Sequence, residues 1–260
     1  MGGNRPLVLV NAWDPATARI FERAGSAAIA TTSAGIAFSS GYPDGEKIPR
    51  DRMLEAVARI CAKVSVPVTA DMEAGYGASP EDLRRTVSGV LEAGAVGLNL
   101  EDGGEPGEPL MDLPLQLEKI RSVREVSEGL GVPIVLNART DAYLRGIGSE
   151  KEMFEETIRR GEAYRDAGAD CVFVPGITDR ATIGALVRRL ACPINVLAVA
   201  GSPSIDDLAS LGVARVSLGS GPIRATMSLM QRLADEVLAR GTYSVLEGIV
   251  SHASMNELMR

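Results

Sequence analysis

Histidine is almost missing from this chain. The single example, His252, stands close to the end of the 260 residues. A zinc site built on three histidines is therefore excluded, and a histidine base would have to come from the tail. Cysteine is nearly as scarce. Cys61, Cys171 and Cys192 are scattered, odd in number and each set in an apolar context. That is the pattern of buried thiols in a reducing cytosol rather than of disulfides, so a cytoplasmic protein is expected. No apolar run approaches the roughly 18 residues of a membrane helix. The stretch Met1-Gly2-Gly3-Asn4-Arg5-Pro6 passes straight into a strand-like run, without the pattern of a signal peptide. An excess of basic charge is also lacking. The 27 Lys and Arg against 34 Asp and Glu give a formal charge of −7, which argues against a nucleic-acid surface and fits a soluble enzyme. No G-x-G-x-x-G opens a helix, which weakens the case for a doubly wound open sheet, the runner-up fold.

What the chain does have is a repeating unit: a helix ending in glycine or a small residue, an apolar strand, then a polar loop. Strand-like runs lie at Leu7 to Trp13, Ala27 to Thr32, up to Asp71, up to Glu101, Ile134 to Ala138, Cys171 to Val174, Ile194 to Val199 and Ala214 to Leu218. They are apolar runs rather than clean alternations, as buried parallel strands are. Helix starts are legible at Asp14-Pro15 and Ser79-Pro80-Glu81-Asp82, a capping side chain followed by proline. Further helices are expected over Leu115 to Glu128, Glu150 to Ala167, Asp179 to Leu190, Ser204 to Leu211 and Pro222 to Arg240. Eight such units without a break in composition predict an α/β fold, a (β/α)8 TIM-type barrel, over residues 1–240. Residues 241–260 form an extra helical piece with apolar residues at Leu246, Ile249, Val250, Met255, Leu258 and Met259. It packs either on its own barrel or on a neighbouring subunit.

Barrel active sites lie at the C-terminal strand ends. There the chain places Asn11, Trp13 and Asp14, then Thr31 to Gly35 followed by a long polar loop through Asp44-Gly45, then Asp71 and Glu73, then Asn99, Glu101 and Asp102. Asn137, Arg139, Thr140 and Asp141 follow, with Asn195, Ser217 and Ser220 closing the circuit. Acids thus gather on two adjacent strands with Arg139 on the next. Carboxylates so placed need a counter-charge, and a divalent metal held through oxygen supplies one. An arginine fork grips a carboxylate or phosphonate. Together they suit a 2-oxo acid, whose carboxylate adjoins a carbonyl, and would stabilise the enolate left when a bond to C3 breaks. Each residue also has a plainer reading. A lone acid at a strand end is a loop acid, Asp44 fits a Pro-Asp-Gly turn, Asp14 is a helix cap, and Trp13 and Tyr76 are packing residues. The four acids with Arg139 are read as a site because they fall on neighbouring strands.

The stretches Asp71-Met72-Glu73-Ala74-Gly75-Tyr76-Gly77, Leu100-Glu101-Asp102 and Asn137-Ala138-Arg139-Thr140-Asp141-Ala142, with Thr32-Ser33-Ala34-Gly35, Gly41-Tyr42-Pro43-Asp44 and Phe173-Val174-Pro175-Gly176 in the same order, resemble the isocitrate lyase/phosphoenolpyruvate mutase superfamily over nearly the whole chain. The resemblance implies a barrel, a tetramer or dimer, and a last helix exchanged between subunits. It implies Mg2+ (with Mn2+ as a substitute) near Asp71, and Asp44, Glu73 and Glu101 bound to it directly or through water. Asp71, Glu73 and Glu101 are then the metal set, and Arg139, Glu101 and Asp44 the catalytic set. Ser33 and Gly35 with Arg139 would hold the substrate carboxylate, Ala34 would join the substrate-binding set, and Trp13 and Asn195 would line the pocket.

One departure separates this chain from the superfamily's lyases. After strand four they carry Lys-Lys-Cys-Gly-His, whose cysteine transfers a proton. Here the same place reads Gly103-Gly104-Glu105-Pro106-Gly107-Glu108-Pro109-Leu110, and the mutase's Lys-Lys-Asn loop is absent too. Gly103, Gly104 and Gly107 would permit hinge motion. The expectation is a Mg2+-dependent lyase that cleaves or forms a C–C bond in a small 2-oxo or 2-hydroxy acid, with decarboxylation attractive because solvent can protonate the enolate. P–C chemistry on phosphonopyruvate or phosphoenolpyruvate is the second reading. A catalytically silent barrel that binds a 2-oxo acid is the third.

Overall fold

The computed structural model describes residues 5–77, 79–104 and 108–260. Helices end and strands begin at left-handed glycines. Gly94 (φ 90°) and Gly168 (φ 111°) turn the chain from helix into strand at little steric cost, where a Cβ would be strained. The strands that follow are short and buried over most of their length, with Leu7 and Val135 exposed at two of their starts. In chain order they are β1 (Leu7–Leu9), β2 (Asn11–Ala12), β3 (Ile29–Thr31), β4 (Val68–Asp71), β5 (Gly97–Glu101), β6 (Val135–Arg139), β7 (Cys171–Val174), β8 (Ile194–Leu197) and β9 (Arg215–Ser217). All pairings are parallel and the order is β1-β9-β8-β7-β6-β5-β4-β3-β2. β1 and β2 are one stretch interrupted at Val10, so the two ends of that order are neighbours in the chain. The sheet therefore wraps into a TIM-type barrel. The first strand expected from sequence thus pairs in two halves, Leu7 to Leu9 with β9 and Asn11 and Ala12 with β3. Asn11 ties the seam: its amide donates to Thr31 O at 2.8 Å, and its Oδ1 accepts from the N–H groups of Leu218 and Gly219.

The helices are α1 (Pro15–Arg23), α2 (Ser33–Ser39), α3 (Arg50–Cys61), α4 (Pro80–Glu92), α5 (Leu113–Gly129), α6 (Glu150–Asp166), α7 (Arg180–Leu190), α8 (Ile205–Ser210), α9 (Gly221–Asp235) and α10 (His252–Met259). Both predicted starts are present. Asp14 accepts from Thr17 N at 2.7 Å and Ser79 from Asp82 N at 3.1 Å. One core fills the space between barrel and helices, from Ile29, Met53 and Val57 to Leu136, Leu186 and Val216.

Two expectations need correction. Ser33 to Ser39 is not loop but helix α2, capped by Thr32, whose hydroxyl accepts from Gly35 N. Its small residues gave no periodic signal, yet Ile36 and Ala37 are buried. The last long helix is regular only to Asp235. Glu236–Arg240 is a π turn, and the Glu236 carboxylate takes hydrogen bonds from Thr242, Ser244 and Val245 that swing the chain back. The tail helix α10 then lies on α1 of its own chain, with Leu258 buried and its carbonyl accepting from Arg19 Nε at 3.0 Å.

Candidate active site

Barrel register decides which side chains meet. Asp71 ends β4 opposite Asn99, and Glu101 ends β5 opposite Arg139 at the end of β6. Paired residues on neighbouring strands are about 5 Å apart, and Arg139 Nη1 reaches Glu101 Oε2 at 2.6 Å. The same guanidinium turns two further N–H groups onto Asp141, Nε to Oδ1 at 2.6 Å and Nη2 to Oδ2 at 2.9 Å. Arg139 is thus a brace between two carboxylates, lying over the Phe173 ring at 5.7 Å. Burial works against its charge, but Glu101 and Asp141 more than reverse this and hold it above the ordinary arginine value. Gly103 is required beside this brace, because a Cβ there would sit 2.5 Å from Asp141 Oδ2.

On the other side of the cavity a second acidic group is wired through the backbone. Asp71 Oδ2 accepts from both the N–H and the hydroxyl of Ser33, at 3.0 and 2.9 Å, and Asn99 lies 3.4 Å from Oδ1. Glu73 Oε2 accepts from Glu46 N at 2.6 Å, Glu46 Oε1 accepts from Tyr76 N at 2.6 Å, and Tyr76 OH reaches back to Glu73 at 3.3 Å. Glu46, Glu73 and Tyr76 all have positive φ, at 57°, 50° and 58°. A non-glycine residue held there costs on the order of 1 kcal/mol or more, and such strain gathers at functional sites. Lys119 supports the loop from below, donating from Nζ to Ala74 O.

These groups line one cavity of about 1030 Å³ at the C-terminal strand ends. Ser33, Asp44, Glu73, Glu101 and Arg139 are on its wall, and Asp71 stands behind Ser33. Trp13, Ala34, Gly35 and Asn195 are not. Trp13 packs against the core, and Ala34 and Gly35 are buried in α2, where the Gly35 N–H is turned to Thr32. Asn195 is fully buried one layer down, 3.3 Å from Ser217 Oγ. Asp102 leaves the acidic group expected from sequence. It points away from the cavity into the helical layer, where Arg160, Tyr164 and Asp141 N–H hold it. Glu105, Pro106 and Gly107, part of the loop that replaces the lyase motif, lie outside the described residues. Sequence reasoning missed Glu46, Arg145 and Arg160. Glu46 carried no signal, and the two arginines lie far along the chain from their partners.

The acids carry more negative charge than Arg139 can offset. Burial, then repulsion from Asp71 and Asp44, pushes the Glu73 carboxyl up to about 8. Glu101 is raised by burial despite Arg139, and Asp44 by desolvation and then by Asp71. The donors are all oxygen, which suits a hard dication. Among the described residues no three acids stand close enough around one point to enclose an ion. Mg2+ does not require that, since it keeps several waters and takes one or two carboxylates plus substrate oxygens. The residues therefore fit Mg2+. The thiols offer no alternative chemistry: burial raises Cys61 to about 11 and Cys171 to about 12.

A pH consequence follows from Glu73. Its folded pKa lies above the value of 4.5 for a free glutamate, so the folded state is favoured where the proton is on. In chelator, stability will therefore fall as pH rises from about 4.5 to about 8. Glu73→Gln will flatten that fall by roughly 2–5 kcal/mol, measured by urea unfolding at several pH values. Parallel slopes in the two proteins would count against it.

The profile of the phosphoenolpyruvate phosphomutase family matches residues 2–238. The chain belongs to the isocitrate lyase/phosphoenolpyruvate mutase superfamily. The crystal structure of a putative lyase/mutase from Burkholderia cenocepacia J2315 is 39% identical, with a TM-score of 0.90 over 98% of this chain and 91% of that one. An oxaloacetate decarboxylase from Rhodopseudomonas palustris (strain BisB18) is 30% identical over 100% of this chain and 90% of its own length. A phosphonopyruvate hydrolase in complex with oxalate and Mg2+ is 25% identical, with a TM-score of 0.84 over 98% and 90% of the two chains. Superfamily members are enzymes, lyases and mutases among them, and they act on small carboxylates. Among the described residues no helix is long and apolar enough to cross a membrane.

Proposed function

We propose that this chain is a Mg2+-dependent lyase that cleaves or forms a C–C bond in a small 2-oxo or 2-hydroxy acid, by way of an enolate. The observation that carries this reading is one cavity wall holding a braced arginine beside carboxylates in surplus. Asp71, Glu73, Glu101 and Asp44 would hold the ion, directly or through water. Bound there, Mg2+ supplies Lewis-acid polarisation of a substrate oxygen. Arg139, fixed by Glu101 and Asp141, would orient the substrate carboxylate with its remaining N–H groups. Glu101 and Asp141 keep it from turning into solvent. Ser33 holds Asp71 in place with two hydrogen bonds.

Among the described residues, no cysteine, histidine or lysine is on the cavity wall. That favours a reaction in which solvent delivers the last proton, such as decarboxylation of a 2-oxo diacid. P–C cleavage is the second reading, favoured by the likeness to a phosphonopyruvate hydrolase. The apolar side chains Leu238, Tyr243, Ile249 and Val250 are all more than 60% exposed along the π turn and the tail, and we read them as the surface a second copy covers in a homo-oligomer.

The test is a proton NMR turnover screen with oxaloacetate, isocitrate, 2-methylisocitrate, alkylated malates and phosphonopyruvate, with Mg2+ and with chelator. A product that requires Mg2+ is expected from a carbon acid. Phosphate released from phosphonopyruvate alone would move the assignment to P–C chemistry. Oxo-acid binding without any turnover would point to a silent binding barrel. A monomer in sedimentation velocity on the same preparation would remove the oligomer.

A further inference from the structure

Arg139 is engaged on both sides, so its charge is already countered by Glu101 and Asp141. A second arginine reaches the same cavity. Arg145 follows β6 by a short turn and lines the wall beside Leu144 and Ile147. Its guanidinium crosses to the loop after β5, where Nη1 donates to Glu108 O at 2.6 Å and Nη2 donates to Gly104 O. Those acceptors are backbone carbonyls. They fix the direction of the side chain but carry no net charge. Among the described residues no carboxylate pairs with Arg145, and two donor groups of an arginine's five N–H are in use.

That combination differs from a structural staple. A staple needs hydrogen bonds; it does not need a cation that, among the described residues, is bonded only to carbonyls in a cleft also lined by Asp44, Glu46, Glu73, Glu101, Glu108 and Asp141. Those acids repel an anion everywhere except at the arginines. The cavity, at about 1030 Å³, is at the upper end for small-molecule sites, and a three-carbon acid seated at Arg139 would leave much of it unfilled. Leu144 and Ile147, which flank Arg145 in the chain, give that part of the wall an apolar character.

We propose that Arg145 is the anchor for a second anionic group of the substrate, a carboxylate or phosphonate carried beyond the acid that faces Arg139. This rests on the function proposed above and narrows it to dianionic substrates, with Arg145 setting length and charge. The absent lyase loop then has a partial counterpart: a second positive charge on the cavity wall comes from the turn after β6.

The test is calorimetric binding to the full chain in Mg2+, using oxalate, which has no distal group, a difluorinated oxaloacetate that resists C–C cleavage, and phosphonopyruvate. Arg145→Met is expected to weaken the two ligands with distal anions by ~30-fold or more while moving oxalate less than threefold. Arg145→Lys will recover part of the loss. The larger loss among the two distal ligands identifies carboxylate or phosphonate. Equal weakening of oxalate would reduce Arg145 to a loop staple, and unchanged binding of all three would also overturn the proposal. Both outcomes leave the lyase reading standing. Failure of the wild-type protein to bind oxalate at all would instead remove that reading, and this inference with it.

Discussion

Arg139→Ala will lower kcat/KM on the substrate found by turnover screening by a factor of about 10³ or more, with the fold retained. The expectation comes from what Arg139 holds together. One guanidinium fixes Glu101 at 2.6 Å and both oxygens of Asp141. Without it, two buried carboxylates lose their counter-charge, and Glu101, already raised by burial, takes up a proton. On the function proposed above, the cavity then loses its substrate fork and part of its cation-binding charge together. Losing one preorganised charged contact costs 10²–10³ in rate in well-studied sites, and here orientation is lost as well. Arg139→Lys will not restore activity, because an ammonium cannot serve both carboxylates in the planar geometry of the fork. Steady-state kinetics with circular dichroism on both variants checks this. An Arg139→Lys protein within tenfold of wild type would place substrate binding elsewhere.

Arg160→Met will lower stability by about 3–5 kcal/mol, a fall in melting temperature of roughly 10 °C. Asp102 is fully buried and shares its carboxylate among Arg160 Nη1 at 3.1 Å, the Tyr164 hydroxyl and Asp141 N–H at 2.9 Å. Burial already raises this carboxyl. Removing the cation that pairs with it leaves an uncompensated charge in the helical layer. The double change Asp102→Asn with Arg160→Met will recover part of the loss, because the orphaned charge goes with its partner. By contrast, Arg84→Ala will move stability by less than about 0.5 kcal/mol. Its pairing with Glu125 at 3.5 Å joins two side chains that are each more than half exposed. Thermal unfolding of the four proteins separates these cases, and equal losses from Arg84→Ala and Arg160→Met would refute the argument.

Asp71, Glu101 and Arg139 could be placed from the sequence because each stops an apolar run. In a parallel barrel that position has one meaning, the catalytic rim. The ends of β4, β5 and β7 were legible to the residue for the same reason. Asp102 looked equivalent to Glu101 but is its neighbour on an extended chain, so it faces the opposite side. Its true partners, Arg160 and Tyr164, lie 58 and 62 residues away on a helix whose span was legible but whose pairing was not. Arg145 was hidden likewise, since its contacts are carbonyls 37 and 41 residues distant. Helix α2 escaped notice because Ser33-Ala34-Gly35 resembles loop until Thr32 caps it. Pairings across loops depend on where the backbone goes, which composition does not encode.

The seam of the barrel bears on how the molecule is made. Asn11 Oδ1 accepts from Gly219 N, 208 residues later, and among the described residues β1 pairs with β9 alone. Nothing near the start of the chain can satisfy Leu7 to Leu9. At roughly 5–20 residues per second, that strand waits ten seconds or more on the ribosome with its edge unpaired. Closure is then a long-range event, slow and intrinsically exposed to mispairing. The nascent protein is therefore expected to depend on chaperones until its final strand is translated, however stable the finished barrel is.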